Sequence, residues 1–220
     1  MNRRMFVITA GAAVPSAILS KQIWADDKPL AIADELIGEF VRKSHFNFDA
    51  IRSMLKSEPQ LVNSCWDWGK GDFETGLGAA AHTGRRNIAE LLLEHGARLD
   101  VFAATMLGMS GVVRAVLEAM PNIHSVRGPH GIPLLSHAVA GGDPSFELVE
   151  FLIKRGATVN TQSNNGTTPL MHAAAAGHVD AVKLLLERGA DRNLRDAKGN
   201  RAIDRAEKRD RAAVVSLLSA

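Results

Sequence analysis

The 220-residue sequence contains one cysteine, no tyrosine and few aromatic residues of any kind. A single cysteine excludes a disulfide framework and any zinc or iron–sulfur site built from several cysteines of this chain. Aromatic residues make up only 5% of the sequence, which argues against a surface on which nucleic-acid bases stack. The hydrophobic fraction of 46% and the charged fraction of 23% are ordinary for a globular protein, so a fully disordered chain is also excluded.

The first 25 residues have the three parts of a secretory signal, namely a basic start, an apolar run and a short segment that ends at Ala25. Arg3 and Arg4, followed by three apolar residues, resemble the twin-arginine export signal. We therefore expect a signal peptide over 1–25, cleaved after Ala25, and a bacterial periplasmic protein that meets the membrane only during export. An uncleaved membrane anchor is the alternative, but Lys21 cuts the apolar run short of the roughly 20 residues that a span needs.

Cleavage at this point changes the charge of the protein. The full sequence has 26 basic and 24 acidic side chains, for a formal charge of +2. Three basic residues and no acidic residue lie in the predicted signal, so 23 basic and 24 acidic side chains remain and the formal charge becomes −1. A nearly neutral domain implies neither a nucleic acid nor an anionic membrane as its partner.

The rest of the sequence repeats with a period of 33 residues. Residues 163–195 contain Thr168-Pro169-Leu170, the pair Gly177-His178 and the closing pair Gly189-Ala190, and residues 70–100 follow the same frame. Thr168 is predicted to cap a helix that begins at Pro169, and Gly189 to end one in the left-handed conformation. This pattern resembles the ankyrin repeat. The resemblance implies an all-α ankyrin-repeat solenoid of stacked helix-turn-helix units with short β-hairpin-like connections.

The resemblance extends over residues 34–220 and divides them into about six units. The predicted units are 34–63, 70–100, 101–124, 127–160, 163–195 and 196–220. The third unit is unusual, because it ends in Met120-Pro121 where a Gly-Ala pair is expected. The charged run from Arg205 to Arg211 is interpreted as the solvated surface of a C-terminal capping unit rather than as a basic docking site.

The eight histidines are candidate metal ligands. Five of them fall near one edge of successive units: His82, His130, His137, His172 and His178. However, neighbouring units lie about 10 Å apart, whereas a metal ion needs three or four ligands at bonds of about 2 Å. We therefore predict structural histidines, no metal site and no cofactor.

Nothing in the sequence predicts catalysis. Cys65 lies in a connection beside Trp66 and has no base at a recognisable spacing, as a nucleophile would need. Gly69-Lys70-Gly71 lacks the spacing and the strand-to-helix setting of a phosphate-binding loop. The resemblance to ankyrin repeats also implies a protein that is not an enzyme.

Ankyrin-like arrays bind partners with the tips of their hairpins and with the concave face of the first helices, and transfer by position predicts a partner-binding set. Its members are Trp66, Trp68, His82, Thr83, Met106, Leu107, His130, Val139, Asn164 and Asn165. Two structural alternatives stay open. Trp66 and Trp68 could instead cover the first unit, and Met106 and Leu107 could fill the gap left by a missing hairpin in the third unit.

The function predicted from these features is that of an exported, monomeric, non-catalytic protein–protein interaction module. Its protein partner is unidentified, and no nucleic-acid partner is expected. The alternative is a periplasmic accessory protein for metal handling or redox stress, which would use surface histidines and Cys65.

Overall fold

The computed structural model describes residues 31–219, and twelve α-helices lie in that part of the chain. They form six consecutive pairs, each within one of the predicted units: α1 (Asp34–Ser44) and α2 (Phe48–Ser57), α3 (Gly76–His82) and α4 (Arg86–Glu94), α5 (Val101–Met106) and α6 (Ser110–Ala119), α7 (Leu134–Ala140) and α8 (Phe146–Lys154), α9 (Pro169–Ala176) and α10 (Val179–Glu187), and α11 (Ala202–Glu207) and α12 (Ala212–Ser219). The predicted signal peptide lies outside the described residues. Among the described helices, none has both the length and the apolar character that crossing a membrane requires.

Polar side chains start several of the first helices. The Thr168 hydroxyl accepts a hydrogen bond from the backbone N–H of Met171, which confirms the predicted cap of α9. Thr75 caps α3 and Asp100 caps α5 in the same way. Gly189 has a φ of +83°, which confirms the predicted left-handed residue after α10. These caps satisfy backbone groups that a short helix would otherwise leave without partners.

The core runs along the solenoid between two layers of helices. The first helices bury alanines, which let their backbones approach closely: Ala79–Ala81, Ala103, Ala104, Ala138, Ala173 and Ala174. As a result α3 packs against α5, α5 against α7, α7 against α9 and α9 against α11. The second helices bury larger side chains, among them Leu92, Leu117, Leu148 and Leu185. The predicted all-α solenoid is confirmed.

Asparagines join the ends of neighbouring units. The Asn160 side chain donates to the carbonyl oxygen of Gly189 and accepts from the backbone N–H of Asp191, at 3.1 and 2.8 Å. Asn63 makes the equivalent pair of bonds to the segment after α4. Because both partners are backbone groups of the next unit, these bonds set the distance between units.

The connections between units differ in length, and this difference decides which connections lie next to one another. The first contains a hairpin of β1 (Cys65–Asp67) and β2 (Phe73–Thr75), paired in antiparallel register with Trp66 opposite Glu74. The connection between α4 and α5, by contrast, spans only residues 95–100 and carries no hairpin. The segment before α7, which includes a single bridge between Arg127 and Pro133, therefore lies next to the β1–β2 hairpin.

Glycines allow close contact at two helix–helix turns. Gly84, after α3, and Gly108, after α5, have φ values of +67° and +71°. A Cβ atom at Gly84 would overlap the carbonyl oxygen of Ala140, and one at Gly108 would overlap that of Pro144. Both positions therefore need glycine for their backbone conformation and for space.

Candidate functional site

Four side chains with metal-ligating atoms converge beside the β1–β2 hairpin: His45, Glu74, His82 and His130. We call them the histidine–glutamate cluster. His45 follows α1, Glu74 lies in β2, His82 ends α3, and His130 lies in a turn before α7. One ligand atom from each side chain lies within 4.8 Å of the others. The cluster thus draws its members from the first, second and fourth units.

The short connection between α4 and α5 explains how His130 reaches this place. Because no hairpin separates them, the turn that carries His130 meets the tip of the β1–β2 hairpin. The Asp72 side chain there accepts two hydrogen bonds, from the backbone N–H and from Nδ1 of His130, at 2.7 and 2.8 Å. His130 has a φ of +58°, which is unusual for a residue other than glycine. The Asp72 carboxylate therefore holds His130 in a sparsely populated conformation.

The contacts inside the cluster are short. His82 Nε2 lies 2.8 Å from Glu74 Oε1 and 3.2 Å from His45 Nε2. The other carboxylate oxygen, Glu74 Oε2, lies 3.4 Å from His45 Nε2 and 3.5 Å from His130 Nε2. The Glu74 side chain has no exposed surface, whereas the histidine side chains are 10–28% exposed. Three Nε2 atoms thus surround a buried carboxylate and remain within reach of solvent.

The charge of the cluster is set by these contacts. Burial opposes ionisation of Glu74, but the neighbouring His130 and His82 rings outweigh it and lower the pKa of Glu74 to about 2. The hydrogen bond to Glu74, aided by Asp72, raises the pKa of His130 to about 9 despite burial. Burial lowers the pKa of His45, although Glu74 acts in the opposite direction. At neutral pH the cluster therefore holds a carboxylate, an imidazolium at His130 and a neutral His45.

The two tryptophans of the predicted partner-binding set have different surroundings. Trp68 Nε1–H donates to Glu74 Oε2 at 2.8 Å, and its ring lies edge-on to His45 and tilted against His130. Trp68 remains 38% exposed and covers the outer side of the cluster. Trp66 is half-buried, and its ring lies 3.2 Å from the position of a Cβ on Gly38 of α1. Trp66 thus packs against the first unit, as its structural alternative describes.

Three of the predicted partner-binding residues are buried, which corrects their assignment. Met106 has no exposed surface, and Leu107 and Val139 are 8% and 1% exposed. Met106 and Leu107 lie at the C-terminal end of the short helix α5 and are buried there. Val139 lies on the face of α7 that contacts neighbouring helices. None of the three side chains is available to a partner in this conformation.

The other predicted residues lie at the surface. Thr83, Asn164 and Asn165 are exposed, while His82 and His130 belong to the cluster. Backbone hydrogen bonds connect successive tips, from Asn164 N–H to the carbonyl of His130 and from Ala197 N–H to that of Asn165. The tips therefore form a row of hydrogen-bonded loops along one edge of the solenoid.

The remaining histidines of the sequence-based set lie outside the cluster. His137 is fully buried, and its Nδ1 lies 3.1 Å from the carbonyl oxygen of Pro133. Burial lowers the pKa of His137 to about 3, so this histidine is neutral in the folded protein. Burial also lowers the pKa values of His172 and His178, which are half-buried.

A groove of about 430 Å³ crosses the ends of the first helices, and we call it the concave groove. Small residues line its floor: Gly84, Ala140, Gly141, Ala175 and Ala176. Four arginines line it as well: Arg85, Arg205, Arg209 and Arg211. Among the described residues that line this groove, none is acidic. Its field is therefore positive, although the formal charge of residues 26–220 is close to zero.

The arginines of the concave groove change the interpretation of the charged run near the C-terminus. Arg205 pairs with Asp196 at 2.6 Å, so its charge is balanced. Arg209 and Arg211 are exposed, and the Arg211 side chain contacts the carbonyl oxygen of Ala175 on the groove floor. The run that the sequence assigns to a solvated cap thus also supplies one side of the concave groove.

Cys65 is separate from the histidine–glutamate cluster. Cys65 is exposed, and its backbone lies opposite Thr75 in the β1–β2 hairpin. Burial of the sulfur and the charge of Glu74 raise the pKa of the thiol, which disfavours the reactive thiolate. The histidines and Cys65 therefore do not form a common site in this structure.

Comparisons with known proteins match the repeated part of the chain. A family model described as ankyrin repeats (3 copies) matches residues 135–220. Ankyrin repeat and SAM domain-containing protein 6 of Rattus norvegicus is 37% identical over 109 residues, which cover 49% of this chain and 12% of the relative. Ankyrin repeat domain-containing protein 63 of Homo sapiens is 35% identical over 100 residues, or 44% of this chain and 26% of the relative.

A shorter match, 47% identical over 75 residues, is to the probable 26S proteasome regulatory subunit p28 of Saccharomyces cerevisiae, and it covers 33% of this chain and 32% of that protein. The chain therefore spans less than a third of the length of each of these relatives. What they share with it is the repeat, and ankyrin repeats are generally protein–protein interaction modules. The described residues thus form an all-α solenoid of stacked helix pairs, and residues 135–220 match ankyrin repeats.

Proposed function

We propose that this protein is an exported, non-catalytic binding module whose concave groove holds an acidic segment of a partner protein. The observation that carries the proposal is the set of arginines in a groove with no acidic lining among the described residues. An extended or helical segment fits such a surface, because small floor residues let its backbone approach while side chains at the rim select its charge.

The charges available to a partner come from three of the four arginines. Arg85 uses Nε to donate to the carbonyl oxygen of His45, and Arg211 donates to that of Ala175. In both arginines these bonds use only Nε–H, so the terminal N–H groups of the guanidinium do not bind these carbonyl oxygens. For Arg209, no side-chain hydrogen bond is found among the described residues. Carboxylates are the natural partners of such donors, because they accept paired hydrogen bonds from a guanidinium group.

A protein segment is favoured over a nucleic acid. The lining of the concave groove contains no phenylalanine, tyrosine or tryptophan among the described residues, so bases have no aromatic ring on which to stack. The charges are also confined to one groove rather than spread along the molecule, as a long phosphate backbone would need. Capture of nucleic acid at this groove in place of protein would refute the proposal.

Charge reversal tests the groove. The double variant Arg209→Glu/Arg211→Glu is compared with wild type and with Lys154→Glu/Lys183→Glu, whose lysines are exposed on the second helices α8 and α10. Tagged proteins are incubated with envelope extract, and the captured proteins are identified by mass spectrometry. A synthetic peptide of the most acidic segment of a captured protein is then titrated at low and high salt.

The expected result is that the groove variant binds the peptide at least about tenfold more weakly, while the control variant binds like wild type. Binding by wild type is expected to weaken at high salt, because the interaction depends on charges that solvent ions screen. Equal affinity of the groove variant and wild type would refute the location of the site. Affinity that does not change with salt would refute its electrostatic basis.

Export to the periplasm is the second part of the proposal. It is supported by Arg3 and Arg4 ahead of an apolar run and by the local contacts of a repeat fold, which favour folding before export. Cell fractionation and N-terminal sequencing test it, and a periplasmic protein that begins at Asp26 is expected. The variant Arg3→Lys/Arg4→Lys is expected to stay in the cytoplasm. Export of this variant at the wild-type level would refute a twin-arginine signal.

A further inference from the structure

We propose that His45, Glu74, His82 and His130 bind one divalent transition-metal ion, with Zn²⁺ as the representative ion. The inference does not rest on the proposed function, although His82 also lines the concave groove. The donor set is three imidazole nitrogens and one carboxylate. Such a set favours Zn²⁺, Cu²⁺, Ni²⁺ or Co²⁺ over Ca²⁺ and Mg²⁺, which prefer oxygen ligands.

The separations between the donor atoms match those around a tetrahedral ion. At bonds of about 2.0–2.1 Å, two ligands of a tetrahedral zinc site lie about 3.3 Å apart. With Oε2 as the ligand atom of Glu74, three of the separations are 3.2, 3.4 and 3.5 Å. These three pairs are already close to the tetrahedral spacing, and one ligand atom from each of the four side chains lies within 4.8 Å of the others.

Two of the histidines are oriented as metal ligands usually are. His45 places Nδ1 at 3.0 and 3.1 Å from the carbonyl oxygens of Val41 and Arg42, and Nε2 faces the cluster. His130 places Nδ1 against the Asp72 carboxylate, and its Nε2 faces Glu74. A carbonyl or carboxylate on Nδ1 fixes the ring and keeps the proton there, so that Nε2 is the nitrogen that binds the ion. At His130 the ion would displace the Nε2 proton of the imidazolium into solvent.

The Glu74 carboxylate is the strongest sign that the cluster is incomplete. Its side chain is fully buried, and Oε1 has no well-aligned hydrogen-bond donor, although His82 Nε2 lies 2.8 Å away. A buried carboxylate oxygen without a hydrogen bond is costly. A divalent ion between Glu74, His82 and the other two histidines would supply the missing partner and neutralise the carboxylate.

The sequence predicts no metal site on the assumption that histidines of different units stay about 10 Å apart. That assumption holds for side chains at equivalent positions of regular units. It fails here, because His45 lies beyond the end of α1 and His130 lies in a connection that bends toward the hairpin. Their ring centroids lie 5.0 and 5.4 Å from that of His82.

Metal binding by the full-length protein tests the site. The protein is purified with a tag that contains no histidine, stripped with a chelator and titrated with Zn²⁺ by calorimetry. The variants His82→Gln and His130→Gln remove ligands, and Asp72→Asn removes the charge that orients His130. The matched control is His95→Gln, since His95 is exposed, lies outside the cluster and also bonds a carbonyl oxygen through Nδ1.

We expect wild type and the control to bind one equivalent of Zn²⁺, and the two ligand variants to bind at least about a hundredfold more weakly. Asp72→Asn is expected to lose about 10–100-fold in affinity, as is usual when an outer carboxylate on a ligating histidine is changed. Excess Mg²⁺ is expected not to compete. The proposal is overturned if wild type binds no stoichiometric Zn²⁺, if the ligand variants bind like wild type, or if Mg²⁺ competes equally.

A second measurement decides the question even if a ligand variant does not fold. Trp68 lies beside the cluster, with ring centroids 6.2 Å from His45 and 5.7 Å from His130. An added Cu²⁺ ion at the cluster is therefore expected to quench the fluorescence of Trp68. The quenching should persist in Trp66→Phe and be lost in Trp68→Phe. Equal quenching of both variants would place the ion elsewhere and overturn the proposal.

Discussion

The buried histidine of α7 predicts a specific dependence of stability on pH. His137 has no exposed surface, and its Nε2 has no hydrogen-bond partner among the described residues. Its ring packs against Phe102 at a centroid distance of 4.8 Å. The folded protein therefore holds His137 neutral, whereas the unfolded chain binds a proton there as soon as the pH falls below the ordinary histidine pKa.

The size of the effect follows from the two pKa values. Burial lowers the pKa of His137 to about 3 in the folded state, although the hydrogen bond to the carbonyl oxygen of Pro133 and the charge of Glu74 act in the opposite direction. The unfolded value is about 6.5. Because the unfolded state binds more protons between these values, the protein loses stability as the pH falls through this range. At about pH 5 the loss from this one residue amounts to about 2 kcal/mol.

Urea unfolding at about pH 7.5 and about pH 5 measures this loss in wild type and in His137→Asn. The asparagine amide can still donate to the carbonyl oxygen of Pro133, but it cannot take up a proton. The control is His95→Asn, because His95 makes the same kind of bond to Leu91 on the exposed surface. In wild type the free energy of unfolding is lower at about pH 5 than at about pH 7.5. We expect this difference in free energy to shrink by about 2 kcal/mol in His137→Asn and to stay unchanged in the control. An unchanged difference in His137→Asn would refute the assignment of a buried neutral histidine.

Three further predictions concern the free energy of unfolding, measured with urea near neutral pH. Gly108→Ala is expected to destabilise the protein by at least about 2 kcal/mol, because Gly108 has a positive φ and a Cβ there would overlap a carbonyl oxygen. The control is Gly111→Ala in α6, where a Cβ meets nothing within 4 Å, and it should change stability by no more than about 1 kcal/mol. Equal effects of these two substitutions would contradict the close contact. Asn160→Ala is expected to cost about 1–2 kcal/mol, because it removes both bonds to the next unit; a neutral effect would show that these bonds do not join the units. Asp196→Asn is expected to cost about 2 kcal/mol, because Asp196 is buried and pairs with Arg205; wild-type stability of this variant would show that the pair contributes nothing.

The repeat and its helices could be predicted from the sequence because their causes are local. Threonine is a favoured N-cap and proline a favoured first helical residue, and glycine after a helix adopts the left-handed conformation without strain from a Cβ atom. Thr168 and Gly189 behave as predicted on these grounds. Stacking then follows, since one helix pair cannot bury its own apolar face.

The candidate sites could not be predicted because they depend on where the repeat is irregular. His45 and Glu74 carry no motif that distinguishes them from other surface residues in the sequence. They meet His130 only because the connection between α4 and α5 lacks a hairpin. A signal was nevertheless present in the short spacing between Gly96 and α5, which indicated that the neighbouring tips would come together.

In a regular solenoid each unit contacts only its immediate neighbours, so unfolding can begin at either end and spread one unit at a time. This molecule departs from that behaviour, because two contacts reach past the intervening pair α5 and α6. Helix α3 contacts α7 directly, and Asp72 accepts a hydrogen bond from the turn before α7. The third unit is therefore enclosed by its neighbours and cannot open alone. We therefore expect the segment from α3 to α8 to unfold cooperatively, and α11 and α12 to fray before it at the C-terminal end.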